Sequence, residues 1–169
     1  MTGAGTGGSD PAVRPAVAAD VPFLLQCIRE LAEFEQLQHQ LDLSAERLQQ
    51  HLFGAVPTCA ALVASVVGEP VGFALYFTSY STFRTQPCLY LEDLYVQPAH
   101  RGCGAGLALL RALAAVAIAR GCPRLDWSVL DWNAGAISFY ERQGARLLPD
   151  WRICRLDGDA LAALASGKG

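Results

Sequence analysis

The sequence predicts a mixed α/β fold, a central sheet with helices on both faces, and three observations lead there. Segments of strand and helix pattern follow one another in the order β-α-α-β-β-β-α-β-α-β. The middle strands are joined by short connections bearing Gly and Pro, as antiparallel neighbours are. Toward the C-terminus strands alternate with helices, which requires a crossover. With 169 residues, 52% of them hydrophobic and 17% charged, the chain has the apolar material for one such core.

Each element has its own signal. Residues 1–11 are rich in Gly, Ser and Thr, lack the pattern of a signal peptide and read as a flexible tail; residues 12–169 form a single domain. Val13 to Val17 is a short first strand. Asp20 caps the first helix, with Pro22 in the turn where a missing N–H costs little. Leu24, Leu25, Ile28, Leu31 and Ala32 form its apolar stripe, and Glu30 and Glu33 lie outside it. Ser44 caps a second helix that runs to about Leu52, and Gly54 and Pro57 end that region.

Cys59 to Val67 and Val71 to Ser79 read as a hairpin closed by Gly68-Glu69-Pro70. Leu89 to Val96 is a third strand, stopped by Pro98, which cannot donate to a ladder. The helix from the glycine loop to Arg120 is apolar on nearly all sides and is expected to be buried. Gly121 and Pro123 end it. Arg124 to Leu130 is a further strand and Asn133 to Gln143 a further helix, with Gly144 as its C-cap. Leu147-Leu148 and Arg152 to Leu156 read as closing strands, and a short helix follows Asp157.

Composition narrows the function. The net charge is −3, and the basic side chains, all Arg except Lys168, are scattered, so there is no nucleic-acid footprint. The longest apolar run, Leu107 to Ala119, is interrupted by Arg111 and too short to span a bilayer. Six single cysteines (27, 59, 88, 103, 122 and 154) form no metal-ligand spacing, and Cys27, Cys59 and Cys154 read as buried free thiols. No metal is expected. A soluble, cytoplasmic setting is.

The run Arg101-Gly102-Cys103-Gly104-Ala105-Gly106 opens a helix. Glycines at alternate positions let backbone approach a ligand, and the helix start offers N–H groups and a positive dipole end to an anion such as a pyrophosphate. A plain strand-to-helix turn has the same composition. The spacing fits neither the dinucleotide fingerprint GxGxxG nor a P-loop, which needs Lys-Ser/Thr after its last glycine.

The neighbours distinguish these readings. Tyr90-Leu91-Glu92-Asp93-Leu94-Tyr95-Val96-Gln97-Pro98 followed by Arg101-Gly102-x-Gly104-x-Gly106 resembles the acetyl-CoA motif of the GNAT superfamily of N-acyltransferases. Val129-Leu130-Asp131-Trp132-Asn133, Ile137-Ser138-Phe139-Tyr140 and Gly144-Ala145 resemble that superfamily's next strand and helix. The segments Ala32-Glu33-Phe34-Glu35 and Leu130-Asp131-Trp132-Asn133 are similar to the diamine acetyltransferases and lean toward their thialysine-acetylating branch.

The resemblance implies a GNAT-like, mostly antiparallel central sheet, acetyl-CoA as cosubstrate, a small cationic amine as acceptor and a homodimer. It implies that backbone groups of Leu94, Tyr95 and Val96 hold the pantetheine arm, that Arg101 to Leu107 hold the pyrophosphate, and that Asn133, Ala134, Gly135 and Ala136 contact the other side of the cofactor. N-acetylation of a protein terminus or amino acid, and a non-catalytic acyl-CoA-binding module, are the alternatives.

Amine acylation needs a base, because alkylamines titrate near 10.4, and an acid for the departing thiolate. Glu92 is the expected base: on a regular strand it shares a largely apolar face with Tyr90, Leu94 and Val96, and Asp93 points the other way. Tyr140 is the expected acid. Glu35, Glu92, Asp93 and Asp126 are candidates to receive ammonium groups, with Phe34, Phe83, Trp127 and Ser128 beside the alkyl chain.

Overall fold

A computed structural model describes residues 10–167 of the chain, so the expected tail lies, for residues 1–9, outside the described residues. Contacts group the chain into two compact units, one ending at Ser128 and one beginning at Val129.

The first unit is built on a sheet whose strand order repeats chain order: β1 (Ala12–Pro15), β2 (Ala60–Val66), β3 (Glu69–Ser81), β4 (Gln86–Val96) and β5 (Leu125–Trp127). The first three pairings are antiparallel, and β4 with β5 is parallel. This is the mixed, mostly antiparallel sheet that the sequence predicts.

Helix α1 (Val21–Phe34) and α2 (Ala45–Phe53) cover one face, where Leu24, Cys27 and Leu52 pack with Ala61, Val63, Phe73 and Tyr95. Helix α3 (Ala105–Ala119) packs against β2, β3 and β4. It belongs to the other face: the Arg120 guanidinium at its end lies 5.4 Å over the ring of Tyr76, whose neighbours Leu75 and Phe77 point to the α1 side.

Several expectations are corrected. Asp20 does not cap α1 with its side chain; its carboxylate accepts from the Val17 N–H at 2.8 Å and pairs with Arg14 at 2.6 Å, tying β1 to the turn before α1. Ser44 does cap α2, accepting from the Arg47 N–H. The β2–β3 turn is the two-residue pair Val67-Gly68, both at positive φ (52° and 85°), the geometry a tight hairpin needs. Strands β3 and β4 extend toward each other, so that residues 80–88 form a long hairpin and not a loop.

Helix α3 is buried along one stripe only, Ala105, Leu109, Leu110, Leu113 and Ala117; Ile118 is 79% exposed. Its all-round apolar composition comes from alanines, which cost little in water. β5 is three residues long and stops well short of Leu130.

The second unit holds α4 (Ala134–Arg142) and α5 (Gly158–Ala165). Residues 147–148 and 152–156 form no strand, against expectation, and Trp151 and Ile153 are 72% and 77% exposed. Cys154, on that unpaired segment, is therefore exposed, and Cys27 is fully buried as expected, its thiol pushed up to about 12 by burial. Among the described residues no helix is long and apolar enough to cross a membrane.

Candidate active site

The site begins with a defect in a ladder. Leu75 of β3 pairs with Asp93 and Tyr76 with Leu91, so Glu92 is an extra residue that pairs with nothing on β3. Such a bulge re-aims side chains and shifts the alternation after it. Phe73, Leu75 and Phe77 lie on one face of β3 and pair with Tyr95, Asp93 and Tyr90. Tyr90, Asp93 and Tyr95 therefore share the α1 side, and Leu91, Leu94 and Val96 the other. The expectation that Glu92 shares a face with Tyr90 and Asp93 opposes it is overturned. Sequence alone could not reveal this, because a bulge is a mismatch in count between two strands.

The consequence is electrostatic. Glu92 is exposed, and Asp93 is half-buried, with no cation among the described residues perturbing it. Burial, then the charges of Glu92 and Glu35, push its carboxyl up to about 6. Burial also raises Glu35, at the end of α1. Three carboxylates from α1 and β4 thus sense one another, and Asp93 has the proton affinity for exchange near neutral pH. The perturbed group is the one the sequence reading assigned to substrate contact only.

The cofactor-side residues stand on the same strand. Ladder pairing with β5 ends at Leu91–Trp127, so among the described residues β4 from Glu92 to Val96 has no strand partner on that side. The Val96 carbonyl accepts from Arg101 Nε at 3.2 Å. Gly102 and Gly104 then take φ of 83° and 90°, left-handed backbone that disfavours any side chain. A Cβ on either would meet nothing closer than Pro11 at 3.9 Å, so these glycines are required by the turn and leave open space above it. Gly104 is the N-cap of α3 and offers no side chain, and Ala105, Gly106 and Leu107 present first-turn N–H groups with no intrahelical acceptor. Cys103 is exposed in the middle of the turn. Unpaired N–H groups at a helix start are complementary to an anion.

Arg101 opens the loop. Its guanidinium lies 5.2 Å from the Phe34 ring centroid and 5.7 Å from that of Tyr95, turned toward α1.

The other candidates are dispersed. Asp126 is held by Arg124 Nε at 2.6 Å. Ser128 is 2.8 Å from the Tyr90 hydroxyl, whose ring packs on Phe77. Trp127 ends β5 opposite Leu91. Phe83 is 96% exposed at the tip of the β3–β4 hairpin. The register sets six pairs between that tip and the bulge, about 17 Å from first to last, so Phe83 does not join the carboxylates. In the second unit the Asn133 side chain accepts from the Ala136 N–H at 3.1 Å and caps α4, which opens with Ala134 and Gly135. Tyr140 lies about two turns beyond the cap, its ring 5.1 Å from that of Phe139.

Sequence reasoning missed Glu30. It is half-buried, accepting from the Tyr95 hydroxyl at 3.2 Å and the Gln97 amide at 3.3 Å. With Glu33 and Phe34 it stands at i, i+3 and i+4 on α1, a spacing that the sequence did contain.

The fold is that of a known class. The chain is similar to an integron cassette protein from the mobile metagenome of Vibrio cholerae, with a TM-score of 0.76 and 27% identity over 94% of this chain and 99% of that one. The sequence pattern of the Acetyltransferase (GNAT) family matches residues 25–145, and the chain belongs to that family of N-acetyltransferases. It is 40% identical to the thialysine N-epsilon-acetyltransferase of Bos taurus, over 90% of this chain and 96% of the relative. It is 30% identical to the L-ornithine N5-acetyltransferase of Arabidopsis thaliana, over 90% and 86%.

Proposed function

We propose that this protein uses acetyl-CoA to acetylate a primary amine of a small diamine, polyamine or thialysine-like substrate by direct transfer. The observation that carries the reading is the open edge of β4. From Glu92 to Val96 it runs without a β5 partner into the glycine turn and the bare start of α3. That edge suits a long polar arm ending in an anion: backbone groups of Leu94, Tyr95 and Val96 hold the arm, and residues 101–107 hold the pyrophosphate. Asn133, Ala134, Gly135 and Ala136 take the cofactor's other side. Acetyl-CoA supplies the acetyl thioester.

The amine arrives as a cation and must lose a proton. Glu35, Glu92 and Asp93 attract it. The base is the coupled pair Glu92–Asp93: Glu92 stands at the exposed bulge, and Asp93, pushed up to about 6, retains the affinity to keep the proton. Tyr140 gives its phenolic proton to the departing thiolate. Asp126, neutralised by Arg124, and Phe83, at the far hairpin tip, drop out of the acceptor set.

A thiol-release assay across putrescine, spermidine, spermine, thialysine and lysine tests the reaction. No release above the amine-free rate with any of them overturns it. In the same assay Tyr140→Phe lowers kcat at least tenfold with the melting temperature unchanged; an unaltered kcat removes Tyr140 as the acid.

A further inference from the structure

We propose that Glu30 and Tyr95 are positioning residues for the cofactor: by holding each other they keep the Arg101 guanidinium fixed in orientation and free of intramolecular ion pairing, ready for the pyrophosphate. The inference rests on the reading above that the turn opened by Arg101 takes that group, and it names the residues that prepare the turn.

Arg101 lines a cleft of about 500 Å³ together with Glu30, Glu33, Phe34, Tyr95 and His100 among others. An arginine with two carboxylates on the walls of one cleft would ordinarily pair with one of them. Here it does not: the ion pairs among the described residues are Arg14–Asp20, Arg47–Asp42 and Arg124–Asp126. The reason lies in what Glu30 already accepts. Its Oε1 accepts from the Gln26 amide at 2.8 Å and from the Gln97 amide at 3.3 Å, and its Oε2 accepts from the Tyr95 hydroxyl at 3.2 Å. Neutral donors thus occupy the lone pairs of a half-buried carboxylate. Glu33 is exposed, where an ion pair gains little over water.

Tyr95 links the two charges. It is buried, its hydroxyl donates to Glu30, and the Arg101 guanidinium lies over its ring at 5.7 Å. Burial, then the charge of Glu30, push the phenol up to about 12, so the hydroxyl keeps its proton and remains a donor. Phe34, one helical turn after Glu30 on α1, supplies a second ring at 5.2 Å. Arg101 Nε donates to the Val96 carbonyl, so one hydrogen bond and two rings set the plane of the fork. Among the described residues its terminal nitrogens donate to no protein acceptor, which leaves them for an anion at the turn. Released from the Tyr95 hydroxyl, Glu30 would turn to Arg101 and compete with the pyrophosphate for the same N–H groups.

Titration calorimetry with CoA and with pantetheine, which lacks the pyrophosphate, tests this without requiring turnover. Tyr95→Phe keeps the ring and releases Glu30. Its Kd for CoA is expected to rise about tenfold, the scale of one hydrogen bond to a charged group, with pantetheine binding unchanged. Adding Glu30→Gln, which removes the competing charge, returns the CoA affinity to within about twofold of the wild type. Gln97→Leu, at a half-buried position, is expected to act in the same direction and to be restored in the same way. An unchanged Kd for CoA in both single variants, a loss that Glu30→Gln does not restore, or an equal loss for pantetheine overturns the assignment. Arg101→Met tests the underlying reading separately. CoA weakened by Arg101→Met but not by Tyr95→Phe or Gln97→Leu keeps the pyrophosphate turn and removes the positioning role. CoA binding unchanged in Arg101→Met removes the pyrophosphate role of Arg101 itself.

Discussion

Two carboxylates drawn out of water in the same unit have opposite fates. Asp20, its side chain 10% exposed, receives two hydrogen bonds from the Arg14 guanidinium and one from the Val17 N–H. These hold its carboxyl below the usual range. Asp93 is also withdrawn from water, but its charged neighbours are Glu92 and Glu35, and its carboxyl rises to about 6. Burial is common to both. What differs is the company: the first corner completes its own charge balance and serves the fold, and the second leaves a deficit that an incoming cation would fill.

Exchanging each carboxylate for its amide separates the two roles. The largest effect is expected from Asp93→Asn, which lowers kcat/KM for the amine about a hundredfold, the low end of a lost general base. Its melting temperature at pH 7 should not fall. The sign follows from the raised pKa: the folded state favours protonated Asp93, so ionisation as pH rises toward and past 6 works against folding, and an uncharged Asn escapes that cost. A melting temperature lowered as much as activity would make Asp93 a structural residue like Asp20.

Asp20→Asn should do the reverse, costing about 1.5 kcal/mol of stability and leaving kcat within twofold. The value is discounted because Arg14 is nearly half exposed. Its lowered pKa fixes the window: the deficit is complete above the ordinary carboxylate value near 4 and disappears as pH falls through the lowered one. Denaturant unfolding at pH 7 and pH 2.5 reads both ends.

A smaller shift is expected from Glu92→Gln. Removing one of the charges that raise Asp93 moves the acid limb of the pH profile of kcat/KM to lower pH by less than one unit. A limb that stays in place separates the two groups. Smallest of all, Asp126→Asn breaks only a half-exposed pair with Arg124 and should change stability by under about 0.5 kcal/mol.

The sequence made much of this legible. Strand and helix order follows from periodicity, the Ser44 cap from its position before an amphipathic run, and the glycine turn from alternate glycines after a strand. What escaped depends on partners. The β3–β4 hairpin turns through Thr85 at a φ of 52°, a conformation that a β-branched residue does not advertise. The expected strands near Trp151 and Ile153 alternate correctly and yet have no ladder, since pattern cannot supply a partner. The bulge at Glu92 reversed the facing of Asp93 relative to Tyr90, and with it which of two adjacent acids is the less exposed.

The strand order has a consequence for how the chain acquires its activity. Because β2, β3 and β4 follow one another directly in the chain, the β2–β3 and β3–β4 pairings are local hairpins whose closure costs little entropy. Pairing of β4 with β5 waits for the whole of α3 and brings together residues as distant as Leu91 and Trp127. The carboxylate strand thus pairs locally with β3, and the glycine turn is anchored at both ends only when the longer-range β4–β5 pairing closes. A polyanion that grips the turn would accordingly act on a segment that only a long-range pairing closes, and hold it shut.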